Sequence, residues 1–417
     1  MDSVNRIEKK RLELIQKNRE IFNLSSGNPN EFDINFPSEI LQEAFADFVK
    51  GPIYKPDPRG DFRAREAIAN FYRIKAKSNE TIWGKPENII LTSGTSESYF
   101  HLFKFLAQPG DGILLPCPSY PLFTEIAKLA GINTQFYRLE EKSGWQIDLD
   151  DLERKISPHT KAIVLISPSN PTGAVLHEDT LRGVLDIAAK NKLTEGPLSG
   201  KPIPIISDEV FSEFIFEGKN FPSIAKINLQ MQKHGPINEQ LIFTLQGVSK
   251  TFALPGLKLG WLMVSGGSEQ TVQNVIDQLE RSADIFLSTS FIAQKMLPVI
   301  LKDGQDFLKK FQQRVEENCN LASQILTEYP WVSFHKPEGG FYLFARIDIR
   351  KFGKEYSKSR TSMTDEDFVL YVMEKTGIFV HPGYFYDYEK GIHILISLLP
   401  KKTKLATYLR EIFSIKF

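Results

Sequence analysis

From Asn88 onward the chain repeats one pattern: a short, continuously apolar run, then a stretch with helical spacing. The runs are Ile89-Ile90-Leu91, Ile113-Leu114-Leu115, Ala162 to Ile166, Ile203 to Ile206, Ile242 to Leu245 and Trp261 to Val264. Helical patterns follow several of them, over residues 97–107, 120–130 and 178–189. A strand that is apolar on both faces must be covered on both faces, and intervening helices supply that cover. The pattern predicts an α/β fold whose large domain holds a mostly parallel sheet. Ligands of such sheets bind beyond the carboxyl ends of the strands. Chemistry is therefore expected in the residues that follow each run.

After about Phe291 the texture changes. A long helical region runs toward Tyr329, strands follow at Phe341-Tyr342-Leu343-Phe344 and Ile394-Leu395-Ile396, and residues 403–413 close the chain as a helix. A chain of 417 residues is too long for one core. The expected division is a large domain over residues 51–295 and a smaller α+β domain of residues 296–417 joined by 1–50. Within the N-terminal part, residues 4–18 read as a solvated helix, Ser38 as an N-cap, and residues 60–72 as a further helix. Residues 191–201 and 228–239 read as surface loops. Lys plus Arg and Asp plus Glu balance at 51 each, which gives no global attraction to nucleic acid or an anionic membrane. No run approaches the roughly 20 apolar residues that span a bilayer. Two cysteines, Cys117 and Cys319, are few for this length and suggest reduced thiols and a cytoplasmic location.

Four motifs stand at the ends of predicted strands. In Thr92-Ser93-Gly94-Thr95-Ser96 a glycine and small hydroxyls lie between a strand and a helix. Free N–H groups and the positive helix end make such a turn a phosphate cradle, although Thr95 or Ser96 would also serve as an ordinary N-cap. Ser167-Pro168-Ser169-Asn170-Pro171-Thr172-Gly173 is a turn signal whose Asn170 amide can bond a cofactor hydroxyl or a substrate carboxylate. Asp208, after the run ending at Ile206, is a carboxylate leaving a buried strand. It needs a cationic partner, loop amides or a raised pKa. Lys250 follows the fifth run, with Pro255-Gly256-Leu257-Lys258 downstream. An enclosed amine near other positive charge loses its proton readily and becomes a nucleophile, whereas a lone lysine is usually a solvated surface charge.

Taken together, Ser249-Lys250 followed by Pro255-Gly256-Leu257-Lys258-Leu259-Gly260-Trp261 resembles the class I/II aminotransferases of the fold-type-I pyridoxal-phosphate enzymes. Further matching pieces are Tyr54 to Gly60, Pro118-Ser119-Tyr120-Pro121 and Pro337-Glu338-Gly339-Gly340-Phe341-Tyr342. The resemblance implies that the sheet of the large domain is seven-stranded, and that Lys250 carries pyridoxal 5′-phosphate as a Schiff base and shuttles the substrate proton. It implies that Asp208 keeps the ring nitrogen protonated, Asn170 bonds the ring hydroxyl and Tyr120 stacks on the ring. Thr95, Ser96 and Lys258 would hold the phosphate, with Tyr54 reaching it from the second subunit of a homodimer. Gly27, Asn170, Arg59 and Tyr384 are the candidate substrate-side residues. No metal is expected.

Three positions depart from the family pattern. Phe211 stands where tyrosine is usual, Gly247 where serine is usual, and Leu395 where an arginine normally clamps the substrate carboxylate. A replacement for that arginine is expected from Arg59 or the Tyr384–Tyr386 loop, with His381 nearby; otherwise the substrate is an amine without an α-carboxylate. The reading that results is an aminotransferase acting on an amino donor and a 2-oxo acid. A lyase or decarboxylase using the same cofactor, or a regulatory protein on the same body, are alternatives that resemblance does not separate.

Overall fold

The apolar runs lie side by side in one sheet. In the computed structural model, which describes residues 5–50, 53–75, 85–233, 239–351 and 363–415, its strands follow in chain order. They are β1 (Ile89–Thr92), β2 (Gly112–Cys117), β3 (Asn133–Glu140), β4 (Gln146–Ile147), β5 (Thr160–Ile166), β6 (Ile205–Asp208), β7 (Ile242–Gly247) and β8 (Gly260–Ser265). Across the sheet the order is β1-β8-β7-β6-β5-β2-β3-β4. From β7 to β3 neighbours are parallel, whereas β8 runs antiparallel to both β1 and β7. The expected seven strands are joined by β4, a two-residue antiparallel addition at the edge.

Central strands are buried along their whole length, which is why they read as unbroken apolar runs; all seven residues of β5 are buried. Towards the edge, β3 alternates exposed and buried positions, so its sequence lacked that signature. The helix Thr95–Leu106 shows how the covering layer is held. It buries Tyr99, Leu102, Phe103 and Leu106, a stripe at i, i+3, i+4 and i+7. Each such side chain stabilises the packing by about 1.5–3 kcal/mol.

A second sheet comprises β9 (Val332–Phe334), β10 (Tyr342–Ile347), β11 (His381–Pro382) and β12 (Ile392–Ser397), in the antiparallel order β9-β10-β12-β11. The N-terminal segment lies against it through a separate two-stranded sheet and one backbone bond. Phe22–Asn23 pairs in parallel with Ile378–Phe379, and the Ser397 N–H donates to the Leu24 carbonyl at 2.7 Å.

Smaller expectations need correction. Ser38 is the first residue of the helix Ser38–Val49, and Pro37 holds the cap position without a side-chain bond. The helical region after Phe291 is two helices, Phe291–Asp303 and Gln305–Thr327. Residues 228–233, read as loop, belong to the helix Ile224–Lys233, because Ile224, Ala225, Ile227 and Asn228 are buried; 234–238 lie outside the described residues. Residues 1–4 and the expected domain boundary at 51 also lie outside them. Among the described residues, no helix is long and apolar enough to cross a membrane.

Candidate active site

Parallel strands deliver their last residues to one side of the sheet, and there the structure has a cavity of about 570 Å³. Of the residues singled out from sequence, it is lined by Gly27, Thr95, Ser96, Tyr120, Asn170, Asp208, Lys250 and Lys258. They are brought together by register. Asp208, the last residue of β6, pairs with Ile166 of β5 and Leu245 of β7. Asn170 therefore emerges on one side of it and Lys250 on the other.

Asp208 is buried. The Tyr99 hydroxyl donates to its Oδ2 at 3.0 Å and the Val210 N–H to its Oδ1 at 3.1 Å. Burial raises the carboxyl to about 6, with those two bonds pulling it back down. Among the described residues Asp208 has no ion-pair partner. A cation delivered into the cavity would remove most of that penalty.

Lys250 sits in the single helical turn Val248–Thr251, directly after β7, and its Nζ donates to the Gly27 carbonyl at 2.8 Å. Burial pulls its ammonium down to about 8. About a tenth of it is thus free amine at pH 7, far more than for an ordinary lysine, and that is the nucleophilic form. Gly27 is required by space: a Cβ there would stand 1.9 Å from the Tyr342 hydroxyl oxygen and 3.6 Å from Lys250 Nζ. Two neighbouring groups are thus perturbed in opposite directions, the acid upward and the base downward, as active sites tend to arrange.

At the start of the helix Thr95–Leu106, Gly94 holds the N-cap position at φ 122° and no side chain caps the turn. Thr95 and Ser96 are its first two residues and not its cap, so first-turn N–H groups stay available for an anion. Gly260 of β8 permits the close approach, since a Cβ on it would lie 2.9 Å from the Gly94 Cα. Lys258, exposed and in the left-handed conformation at φ 50°, adds a positive charge to the same lining. On the ring side, the buried Asn170 Oδ1 has no hydrogen-bond partner among the described residues. Tyr120 is 41% exposed.

Tyr54, Arg59 and Tyr384 lie outside the lining of this cavity. Tyr54 is 59% exposed, its ring edge-on to Phe291. The Arg59 Nε lies 3.2 Å from the Glu280 carboxylate, and the Tyr384 hydroxyl donates to Glu366 at 3.3 Å, so acidic neighbours hold both away. In their place the cavity takes His381 and Tyr386. Leu395 is fully buried in β12, and Phe211 packs against Phe341 and Tyr342. Sequence reasoning missed Tyr99, Ser25 and Tyr342. Tyr99 alone carried a signal, lying one helical turn beyond Thr95, on the face that a helix covering β6 must bury.

These fittings suit pyridoxal phosphate: an anion site, an orphaned acceptor, a buried acid lacking a cation, and an amine ready to condense with an aldehyde. The chain has the fold of the fold-type-I pyridoxal-phosphate enzymes. A profile of the family aminotransferase class I and II matches residues 19–403, and the chain belongs to that family. It is similar to the glutamate-pyruvate aminotransferase of Haemophilus influenzae, at 28% identity over 97% of this chain and 94% of that one. The glutamate-pyruvate aminotransferase of Escherichia coli is 29% identical over 94% and 89% of the two chains. Among solved structures, alanine aminotransferase from Pyrococcus furiosus superimposes with a TM-score of 0.83 at 28% identity, covering 98% of this chain and 95% of that one. The protein is a pyridoxal-phosphate-dependent aminotransferase.

Proposed function

We propose that Lys250 carries the cofactor and that the enzyme moves an amino group between an amino acid and a 2-oxo acid, working in the cytoplasm as a homodimer. When bound, pyridoxal phosphate supplies an electron sink that stabilises negative charge at the substrate α-carbon. Lys250 Nζ, once released as free amine, takes the proton from that carbon. Asp208 holds a proton on the ring nitrogen, and Tyr99 holds Asp208. Asn170 receives the ring hydroxyl on its orphaned Oδ1, and Tyr120 covers the ring. Thr95, Ser96, the open helix start and Lys258 grip the phosphate. Tyr54 reaches the phosphate from the second subunit, a role supported by its exposure beside the exposed Ile53. Exposed Ile285, Phe286 and Leu287 also support a covered face. The division into residues 51–295 and residues 1–50 plus 296–417 is supported by the N-terminal strand Phe22–Asn23 pairing with Ile378–Phe379 of the C-terminal part.

The observation that carries this reading is Lys250 and Asp208 in one cavity, the amine drawn down to about 8 and the acid up to about 6. The relatives' names make glutamate, alanine and pyruvate the first substrates to try. The test is a single half-reaction with amino acid and no acceptor. We expect one equivalent of 2-oxo acid per subunit, with the nitrogen retained on the protein. Release of ammonia or carbon dioxide instead would point to lyase or decarboxylase chemistry and reject the proposal.

A further inference from the structure

The position that lacks the arginine has a specific neighbour. His381 of β11 pairs directly with Leu395 of β12, so the two side chains leave the same face of the small sheet. The side chain of Leu395 is buried in the core, and that of His381 lines the cavity. Its backbone N–H donates to Ser25 Oγ at 2.6 Å, and that hydroxyl donates in turn to the Leu395 carbonyl at 2.9 Å. Two residues along, the Gly27 carbonyl accepts from Lys250 Nζ at 2.8 Å. The anchors of His381 and Lys250 therefore stand within about 8 Å along the chain, two Cα steps apart. His381 Nδ1 shares a hydrogen bond of 2.9 Å with the Tyr386 hydroxyl, and among the described residues no hydrogen bond engages Nε2. Among the described residues that line the cavity there is no arginine; the cationic or ionisable nitrogens are those of Lys250, Lys258 and His381. Lys250 and Lys258 are already committed to the cofactor in the reading above.

We propose that His381, oriented by Tyr386, receives the substrate α-carboxylate in place of the absent guanidinium and takes up a proton from solvent as it does so. The proposal rests on the aminotransferase reading of this cavity. Tyr386 is a positioning residue. In the free protein the imidazole is neutral, because burial between Phe379, Phe385 and Tyr386 holds it down to about 4. The other titratable groups of the lining are the phenols Tyr99, Tyr120 and Tyr342, Asp208, and the two lysines. A carboxylate set against Nε2 favours the charged imidazolium, so its pKa rises on binding and affinity strengthens as pH falls. A guanidinium, always charged, would give no such dependence. The arrangement makes carboxylate binding pH-linked at this one residue.

The test titrates the holoenzyme with propionate, a carboxylate without an amino group, and with propionamide, its neutral isostere. Binding is followed as competition with the amino donor, between pH 6 and 8, in wild type, His381→Gln and Tyr386→Phe. We expect wild type to prefer propionate and to lose up to about tenfold of that affinity per pH unit. His381→Gln removes at least tenfold of the preference and flattens the part of the slope due to His381, and Tyr386→Phe removes a few-fold. Calorimetry in two buffers of different ionisation enthalpy reads the proton uptake on wild type alone, independent of any variant's folding. A preference and slope unchanged in His381→Gln, or no proton uptake, overturns the proposal and leaves the aminotransferase reading standing. A wild-type holoenzyme that releases no 2-oxo acid from any amino acid overturns both together.

Discussion

At the proposed cofactor end of the cavity, Thr95, Asn170, Asp208 and Lys250 each sit at or just after the end of a strand of the large sheet. At the substrate end, Ser25 and His381 are joined by a hydrogen bond between residues 356 apart in the chain. The first arrangement is a consequence of topology, since β1, β5, β6 and β7, the strands that lead to these residues, all finish on the same side. The second depends on the N-terminal segment closing onto the small sheet. On the proposed reading, chemistry is anchored in the most buried layer, and substrate choice in a joint between distant segments. On the same reading such a joint can vary without disturbing the electron sink, and Leu395, where the family pattern has arginine, is the position to test.

Substitutions at the cofactor end test the first half of this contrast, and the largest effect is expected there. Lys250→Arg keeps the charge but loses the nucleophile, and should lower turnover by at least about 10³-fold in a steady-state assay with substrate binding retained. Asp208→Asn should lower it by about 10²-fold or more. The same change has an opposite signature in the apoprotein. The folded carboxyl is raised to about 6. Its contribution to stability is therefore fully present below the unfolded value near 4 and is lost as pH rises through about 6. Asp208→Asn apoprotein should be more stable than wild type above pH 6, by at most about 3 kcal/mol, and gain nothing below pH 4. Urea unfolding at the two pH values reads this directly. No gain at pH 7.5 would mean that the acid is not strained by its burial.

Smaller effects sharpen the comparison. Lys258→Ala should weaken cofactor affinity about tenfold, measured by equilibrium dialysis, because one exposed cation of several phosphate contacts is lost. Phe211→Tyr restores a phenol beside the ring position; the expected change is a shift in the pH at which the cofactor absorbance titrates, with turnover altered only a few-fold. If Phe211→Tyr instead abolished activity, the packing of Phe211 on Phe341 and Tyr342 would matter more than the missing hydroxyl.

The same contrast explains what could be read from the chain. Buried parallel strands and the turns that follow them are encoded locally, so Asn170, Asp208 and Lys250 could be placed before any coordinates. The strand Asn133–Glu140, next to the edge, escaped because its burial alternates. Tyr99 escaped because a phenol on a buried helix face reads as core until Asp208 is seen opposite it. Arg59 and Tyr384 were reasonable carboxylate ligands by position, yet Glu280 and Glu366 claim them, and neither acid belongs to the local motif of its partner. Only the cross-strand pairing of His381 with Leu395 ties the imidazole to the missing arginine, and no local pattern encodes such a pair.

The central claim is that Lys250 holds the cofactor within reach of the substrate. It is tested most directly by absorbance spectra of wild type and Lys250→Ala, each with pyridoxal phosphate, before and after an amino acid and then a 2-oxo acid are added. The account predicts a visible band that forms in wild type only, is lost on adding the amino acid and returns with the 2-oxo acid. A band of equal strength in Lys250→Ala, or none in either protein, would contradict it.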